Sequence, residues 1–309
     1  MLAIECNKLS KRFGDFFAVK DLDLSVEEGQ LFGLLGPNGA GKSTAINILS
    51  TLLTPSSGKA KVLGFDVVTQ EARVREKIGL CSGAGSFFFE LTCREILNYY
   101  ALLYGLGGGK RDRRVDEVID LFGIRDFEGD LFRELSTGMR QKVALAKSLL
   151  NDPKVWFLDE PTIGLDVEVS REVRKTIRRL VEEKQMTVLL TSHYLFEVEE
   201  LCDEVAVLNK GEMAFRGSPF EIKKKMGLND VISFSVGSMD ARRLSFLRGI
   251  RGVVSMDFEH GKMVLATSSA SSVVGKVVEA LEKKKIKARD LEVRKPTLEE
   301  AFLRLVEDV

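Results

Sequence analysis

Leu31-Phe32-Gly33-Leu34-Leu35-Gly36-Pro37-Asn38-Gly39-Ala40-Gly41-Lys42-Ser43-Thr44, continued by Ala45-Ile46-Asn47-Ile48-Leu49, decides the fold. The first five residues are an apolar run of strand length. The last five read as the start of a buried helix, and the residues between match G-x-x-x-x-G-K-[ST]. Glycines let a backbone curl until successive N–H groups converge on one anion. The helix N-terminus adds partial positive charge behind them. Lys42 can then reach β- and γ-phosphates, and the Ser43 hydroxyl can ligate Mg²⁺. Gly36, Pro37, Asn38, Gly39, Ala40, Gly41, Lys42, Ser43 and Thr44 are therefore expected to cradle a nucleoside triphosphate. The bland alternative is a glycine-rich turn with a solvated lysine, and the flanking strand and helix weigh against it.

The chain has 309 residues, 44% hydrophobic and 30% charged, long enough for two globular domains. Lys+Arg and Asp+Glu are 46 each, so no global field draws it to nucleic acid or acidic lipid. Cys6, Cys81, Cys93 and Cys202 lack C-x-x-C spacing, and only His193 and His260 are available beside them, which disfavours a zinc site. Reduced thiols fit a cytosolic compartment. Met1-Leu2-Ala3-Ile4-Glu5 does not open a signal peptide, and no apolar stretch approaches a membrane span.

Strand-like alternation fills the first thirty residues, with Leu22, Leu24 and Val26 on one face. Thr54-Pro55-Ser56-Ser57-Gly58 breaks the first helix before another strand, Ala60 to Leu63. Thr92 and Glu95 form a capping box that opens a helical stretch running to about Leu150, with Gly107-Gly108-Gly109 as a flexible joint. Val155-Trp156-Phe157-Leu158 and Thr187-Val188-Leu189-Leu190-Thr191 are short apolar runs between helices, the pattern of central parallel strands. Gly227-Leu228-Asn229-Asp230 marks a boundary, giving domains at 1–227 and 228–309. The second reads β-α-β-β-α-β, with its first helix near Ala241 to Leu247, which predicts a small ferredoxin-like α+β module closed by a helix from Thr297.

Trp156-Phe157-Leu158-Asp159-Glu160 brings two carboxylates to the C-terminal end of a strand, where ligands of open α/β sheets bind. Asp159 suits a Mg²⁺ shell, and Glu160 can polarise an attacking water. With these segments in hand, the chain resembles the ATPase subunits of ATP-binding cassette (ABC) transporters. Leu135-Ser136-Thr137-Gly138-Met139 resembles the LSGGQ signature, Gly164-Leu165-Asp166 the D-loop, Ser192-His193 the switch histidine, and Lys11-Arg12-Phe13-Gly14 the aromatic A-loop. The resemblance spans about residues 2 to 225. It implies an α/β P-loop NTPase fold with a RecA-like core, an antiparallel β subdomain and a helical subdomain. It also implies ATP and Mg²⁺ as ligands, with Phe13 stacking adenine. Ser43 and Asp159 would hold the metal, with Glu160, His193 and Lys42 catalytic. The implied assembly is a head-to-tail dimer in which Ser136, Thr137 and Gly138 of one subunit face the ATP of the other, with Asp166 at the interface. A separate membrane permease would receive the work, with this subunit peripheral on the cytoplasmic face. Pro296 to Phe302 resembles the closing helix of multidrug and daunorubicin-resistance export ATPases.

Two features depart from that pattern. No glutamine occurs at Ile78-Gly79-Leu80-Cys81-Ser82-Gly83, where the family's Q-loop glutamine belongs, and Gly83 takes its position. Met139 replaces the signature's final glutamine. Phe87-Phe88-Phe89 falls where the family docks the permease's coupling helix; it reads equally as core of the helical subdomain. Arg171, Arg174, Lys175, Arg178 and Arg179 oppose an apolar stripe and read as a solvated helix face. Two other readings stay open: a soluble ABC-type ATPase acting on ribosomes or nucleic acid, and a non-hydrolysing ATP-binding regulator. A single cassette, the short spacing between Thr44 and Trp156, and neutral net charge oppose the first. Glu160 and His193 oppose the second.

Overall fold

The computed structural model describes residues 1–83, 88–236, 241–259 and 261–307. The chain divides into two compact units, Met1–Pro219 and Phe220–Asp308. Residues 220–227, which the sequence pattern leaves in the first domain, make their contacts in the second unit.

In the first unit the order is β1 (Leu2–Phe13), β2 (Phe16–Glu27), β3 (Leu31–Leu35), α1 (Lys42–Leu49), β4 (Ser57–Val62), β5 (Phe65–Asp66), α2 (Glu71–Lys77) and β6 (Ile78–Ser82). Among the described residues three α-helices follow: α3 (Cys93–Leu103), α4 (Gly108–Leu121) and α5 (Thr137–Ser148). The chain then returns through β7 (Val155–Asp159), α6 (Val167–Lys184), β8 (Thr187–Thr191), α7 (Leu195–Leu201), β9 (Glu204–Asn209) and β10 (Glu212–Gly217). Two sheets result. One is antiparallel, in the order β2-β1-β4-β5. The other has the order β10-β9-β3-β8-β7-β6, parallel except for the edge strand β10.

The central strands β3, β7 and β8 are apolar through their middles and buried almost throughout, because both faces are covered. Alternate residues face opposite ways. Phe32 and Leu34 of β3, Val155 and Phe157 of β7, and Leu189 of β8 meet Ile46, Ile48 and Leu49 of α1 and the antiparallel sheet in one core. Phe32 and Phe157 are fully buried, each stabilising the fold by about 2–3 kcal/mol relative to exposure. On the other face, the fully buried Trp156 donates its indole N–H to Ser148 Oγ of α5 at 2.8 Å. That bond ties β7, which ends at Asp159 just before Glu160, to the helix that Ser136 caps.

Local sequence sets the helix ends. Thr92 and Glu95 complete the capping box at α3. The three glycines 107–109 are not simply a joint: Gly107 caps α4, and Gly108 and Gly109 form its first turn. Arg171, Lys175 and Arg179 are exposed as the charge pattern predicts. Arg174 is the correction. It is buried, because the carboxylate of Glu197 on α7 packs against it.

The boundary falls at the first residue of α8 (Pro219–Lys225), and the second unit continues through β11 (Asp230–Ser235), β12 (Val253–Glu259), β13 (Lys262–Thr267), α9 (Ala270–Lys283), β14 (Arg289–Arg294) and α10 (Leu298–Glu307). Its sheet is antiparallel, in the order β12-β13-β11-β14. The segment Ala241–Gly249 between β11 and β12 is 3-10 helix where the periodicity predicts an α-helix. Its Leu244 and Leu247 still reach a core made with Ile232, Phe234, Leu265, Val273 and Val277. Among the described residues, no helix is long and apolar enough to cross a membrane.

Candidate nucleotide site

The glycine loop leaves β3 in the middle of the parallel sheet and runs into α1 at Lys42. Gly41 sits at φ +103, and a Cβ there would stand 2.1 Å from the carbonyl oxygen of Ala18 in β2. Only glycine fits, and the loop is thereby pressed against the antiparallel sheet. Lys42 is 6% exposed, and its ammonium donates to the carbonyls of Gly36 at 2.7 Å and Pro37 at 3.1 Å. Burial holds that ammonium below its ordinary range, against the opposing pull of the Glu160 and Asp159 carboxylates. Ser43 is exposed beside it and Thr44 half-buried.

The strand order brings further chemistry to this end of the sheet. β8 lies between β3 and β7, and all three run parallel, so their C-terminal ends open on the same side. In the pairing register Asp159 faces Thr191. The Thr191 hydroxyl donates to Asp159 Oδ1 at 2.7 Å, and the Glu160 N–H reaches the same hydroxyl oxygen at 3.0 Å. Glu160 is held at φ +54, a left-handed backbone that is strained for a glutamate and turns its side chain out of the strand line. His193, two residues past β8, stands with Nε2 2.6 Å from Glu160 Oε1. Thr191 carries no motif, and only the register of two strands distant in sequence reveals its place.

A cavity of about 320 Å³ lies over the loop, lined by Phe13, Phe16, Ala18, Asn38 to Thr44 and Glu160. Phe13 is half-exposed at the tip of the β1–β2 hairpin, opposite Phe16 in the strand register. Phe16 is a second aromatic that the motif comparison overlooks. Ser136, Thr137 and Gly138 are not among the lining residues. Ser136 caps α5, its Oγ accepting from the Met139 N–H at 3.2 Å. That loop lies against the turn before α6, with Thr137 Cγ2 3.7 Å from a Cβ built at Gly164. Asp166 caps α6 by accepting from the Val169 N–H at 2.9 Å. Gly83 follows β6 at φ +64, with the Cys81 thiol directed at its carbonyl. Phe87 lies outside the described residues. Phe88 and Phe89 are exposed, Phe88 edge-on to Tyr99 at 5.2 Å, so the core reading fails for these two.

Comparison with known proteins identifies the family and the fold. Residues 19–163 match the ABC transporter family. The chain is 38% identical over 309 residues to a daunorubicin resistance ATP-binding protein, DrrA3, of Streptomyces coeruleorubidus, covering 99% of this chain and 96% of that one. It is 31% identical to the linearmycin resistance ATP-binding protein LnrL of Bacillus subtilis, covering 98% and 97%. A solved ATP-binding subunit of an ABC transporter superposes with a TM-score of 0.66 at 27% identity, over 73% of this chain and 93% of that one. This chain belongs to the ABC transporter family, as one of its ATP-binding proteins.

Proposed function

We propose that the chain hydrolyses ATP to ADP and phosphate to drive a separate membrane permease that exports drug-like compounds. It works on the cytoplasmic face as a head-to-tail dimer. The observation that carries the hydrolytic reading is the Glu160–His193 pair, 2.6 Å apart, just past the ends of β7 and β8, at the same end of the sheet as the Lys42 cradle. The export reading is supported by likeness to two resistance ATP-binding proteins along almost the whole chain, second unit included.

In this reading Lys42 leaves the loop carbonyls for the β- and γ-phosphates, and the loop N–H groups surround the same oxygens. Phe13, helped by Phe16, stacks the base. Glu160 accepts the proton of the attacking water while His193 steadies the γ-phosphate and the glutamate. The bond to the β-phosphate oxygen breaks, and ADP departs with phosphate. Mg²⁺ fits a donor set of this kind, one hydroxyl at Ser43 and one carboxylate at Asp159, because that ion keeps several waters and shares phosphate oxygens. When bound it supplies positive charge to the β- and γ-phosphates. Ser136, Thr137 and Gly138 would close on the partner's γ-phosphate, with the dipole of α5 behind them.

One observation favours a second reading. Gly83 stands where a glutamine is expected, in a chain that would then bind ATP and signal without hydrolysis. Phosphate release from Mg-ATP by the purified protein separates the two. Glu160→Gln is expected to lower release by about 100-fold or more while ATP binding persists. A wild type no faster than that variant would establish the non-hydrolysing reading. Gentle solubilisation of membranes carrying tagged Glu160→Gln tests the partner. Co-purification of a polytopic membrane protein is expected, whereas ribosomal or nucleic-acid partners alone would refute the permease assignment.

A further inference from the structure

A buried carboxylate outside the proposed catalytic pair joins the segments that carry it. Glu197 of α7 is 3% exposed. Its Oε2 accepts hydrogen bonds from Thr162 Oγ1 at 2.5 Å and from Ser192 Oγ at 3.2 Å. Its Oε1 accepts from Arg174 Nη1 at 2.7 Å. The three donors are buried as well, so water does not substitute for these bonds.

Each donor belongs to a different functional segment. Thr162 is two residues past Glu160. Ser192 immediately precedes His193, and its Oγ also accepts from the Tyr194 N–H at 3.0 Å, which fixes the turn on which His193 stands. Arg174 lies in α6, the helix that Asp166 caps. The Arg174 guanidinium is further held by Glu200, 3.1 Å from its Nε, and lies over the Phe196 ring at 5.3 Å. Strand pairing between β7 and β8 ends at Asp159 and Thr191. Past that point one backbone bond and the Thr191 hydroxyl connect the two loops, both at the Glu160 N–H. Apart from the Glu160–His193 contact itself, Glu197 is the further side chain that bonds to both loops among the described residues. An ionised carboxylate only accepts and a neutral amide also donates, so this junction of three donors is specific to a charged side chain of this length.

We propose that Glu197 is a positioning residue. It locks the segment after Glu160, the turn before His193 and the helix begun by Asp166 into one unit that sets the Glu160–His193 geometry. The proposal rests on the hydrolytic reading of that pair.

Full-length protein with Mg-ATP tests it, by steady-state phosphate release against ATP concentration and by titration with a fluorescent ATP analogue. Thr162→Val and Ser192→Ala each remove one arm while leaving the buried ion pair intact. Each is expected to lower kcat roughly three- to tenfold with nucleotide affinity changed less than about twofold. Glu197→Gln is expected to lose more. Should it fail to fold, the two hydroxyl variants still carry the test. Combining Thr162→Val with His193→Ala is expected to be no slower than His193→Ala alone, because Thr162 acts through the pair. An unchanged kcat in both hydroxyl variants, additive losses in the double variant, or affinity falling in step with kcat would each overturn the proposal. An active wild type with unaffected hydroxyl variants defeats the positioning role alone. A wild type no faster than Glu160→Gln defeats the hydrolytic reading beneath it.

Discussion

At the scale of single residues, Gly41 shows how tightly the cradle is built. Its left-handed backbone costs an alanine about 1–2 kcal/mol, and the Ala18 carbonyl at 2.1 Å adds a clash with main chain that has nowhere to move. Gly41→Ala is expected to reduce the unfolding free energy by more than about 2 kcal/mol, read from urea denaturation. A loss below about 0.5 kcal/mol would mean that β2 and the loop separate more easily than their packing implies. The glycine was legible as part of a motif, but its partner was not. Nothing in the residues around Ala18 announces that its carbonyl backs the loop. The same holds for Thr191, whose hydroxyl meets both Asp159 and the Glu160 N–H across two strands.

Among the elements, α6 carries the clearest double duty. Asp166, the residue proposed for the dimer interface, is also the N-cap of an eighteen-residue helix. Removing the cap with Asp166→Ala is expected to cost about 1 kcal/mol of stability by chemical denaturation. Asp166→Asn keeps a capping oxygen and is expected to stay within about 0.5 kcal/mol of wild type. Phosphate release by the asparagine variant then isolates what the charge does for catalysis from what the cap does for the fold. A stability loss equal to that of alanine would show that charge against the helix dipole is what matters. The apolar spacing of α6 was readable because an amphipathic helix repeats every turn. The burial of Arg174 was not, since a cation beside an apolar stripe looks the same whether solvent or Glu197 receives it.

For the molecule as a whole, the buried thiols set a pH limit. All four cysteines are free and buried. Burial, with a smaller push from Asp23, raises the Cys6 thiol from its ordinary 9.0 to about 12. Cys81 is raised to about 12 as well, chiefly by burial. These folded-state values lie above the unfolded ones, so above about pH 9 the unfolded chain loses thiol protons that the folded chain keeps. Stability is fully present below that pH and is lost as pH rises towards 12. The melting temperature is expected to fall from about pH 9 upward, and thiol-specific reagents are expected to leave the native protein unlabelled at pH 8. A flat melting profile between pH 9 and 11, or rapid labelling of the native protein, would contradict this burial. The sequence by itself determined the glycine loop between strand and helix, the acidic strand end and the central strands, because a glycine turn, a cap and an apolar run act through their own backbone and near neighbours. Only the tertiary structure decided that β8 separates β3 from β7, which sets His193 beside Glu160 at the loop's end of the sheet. It alone placed Glu197 beneath both loops, because contacts between residues far apart in the chain depend on strand order and packing, which no local pattern encodes.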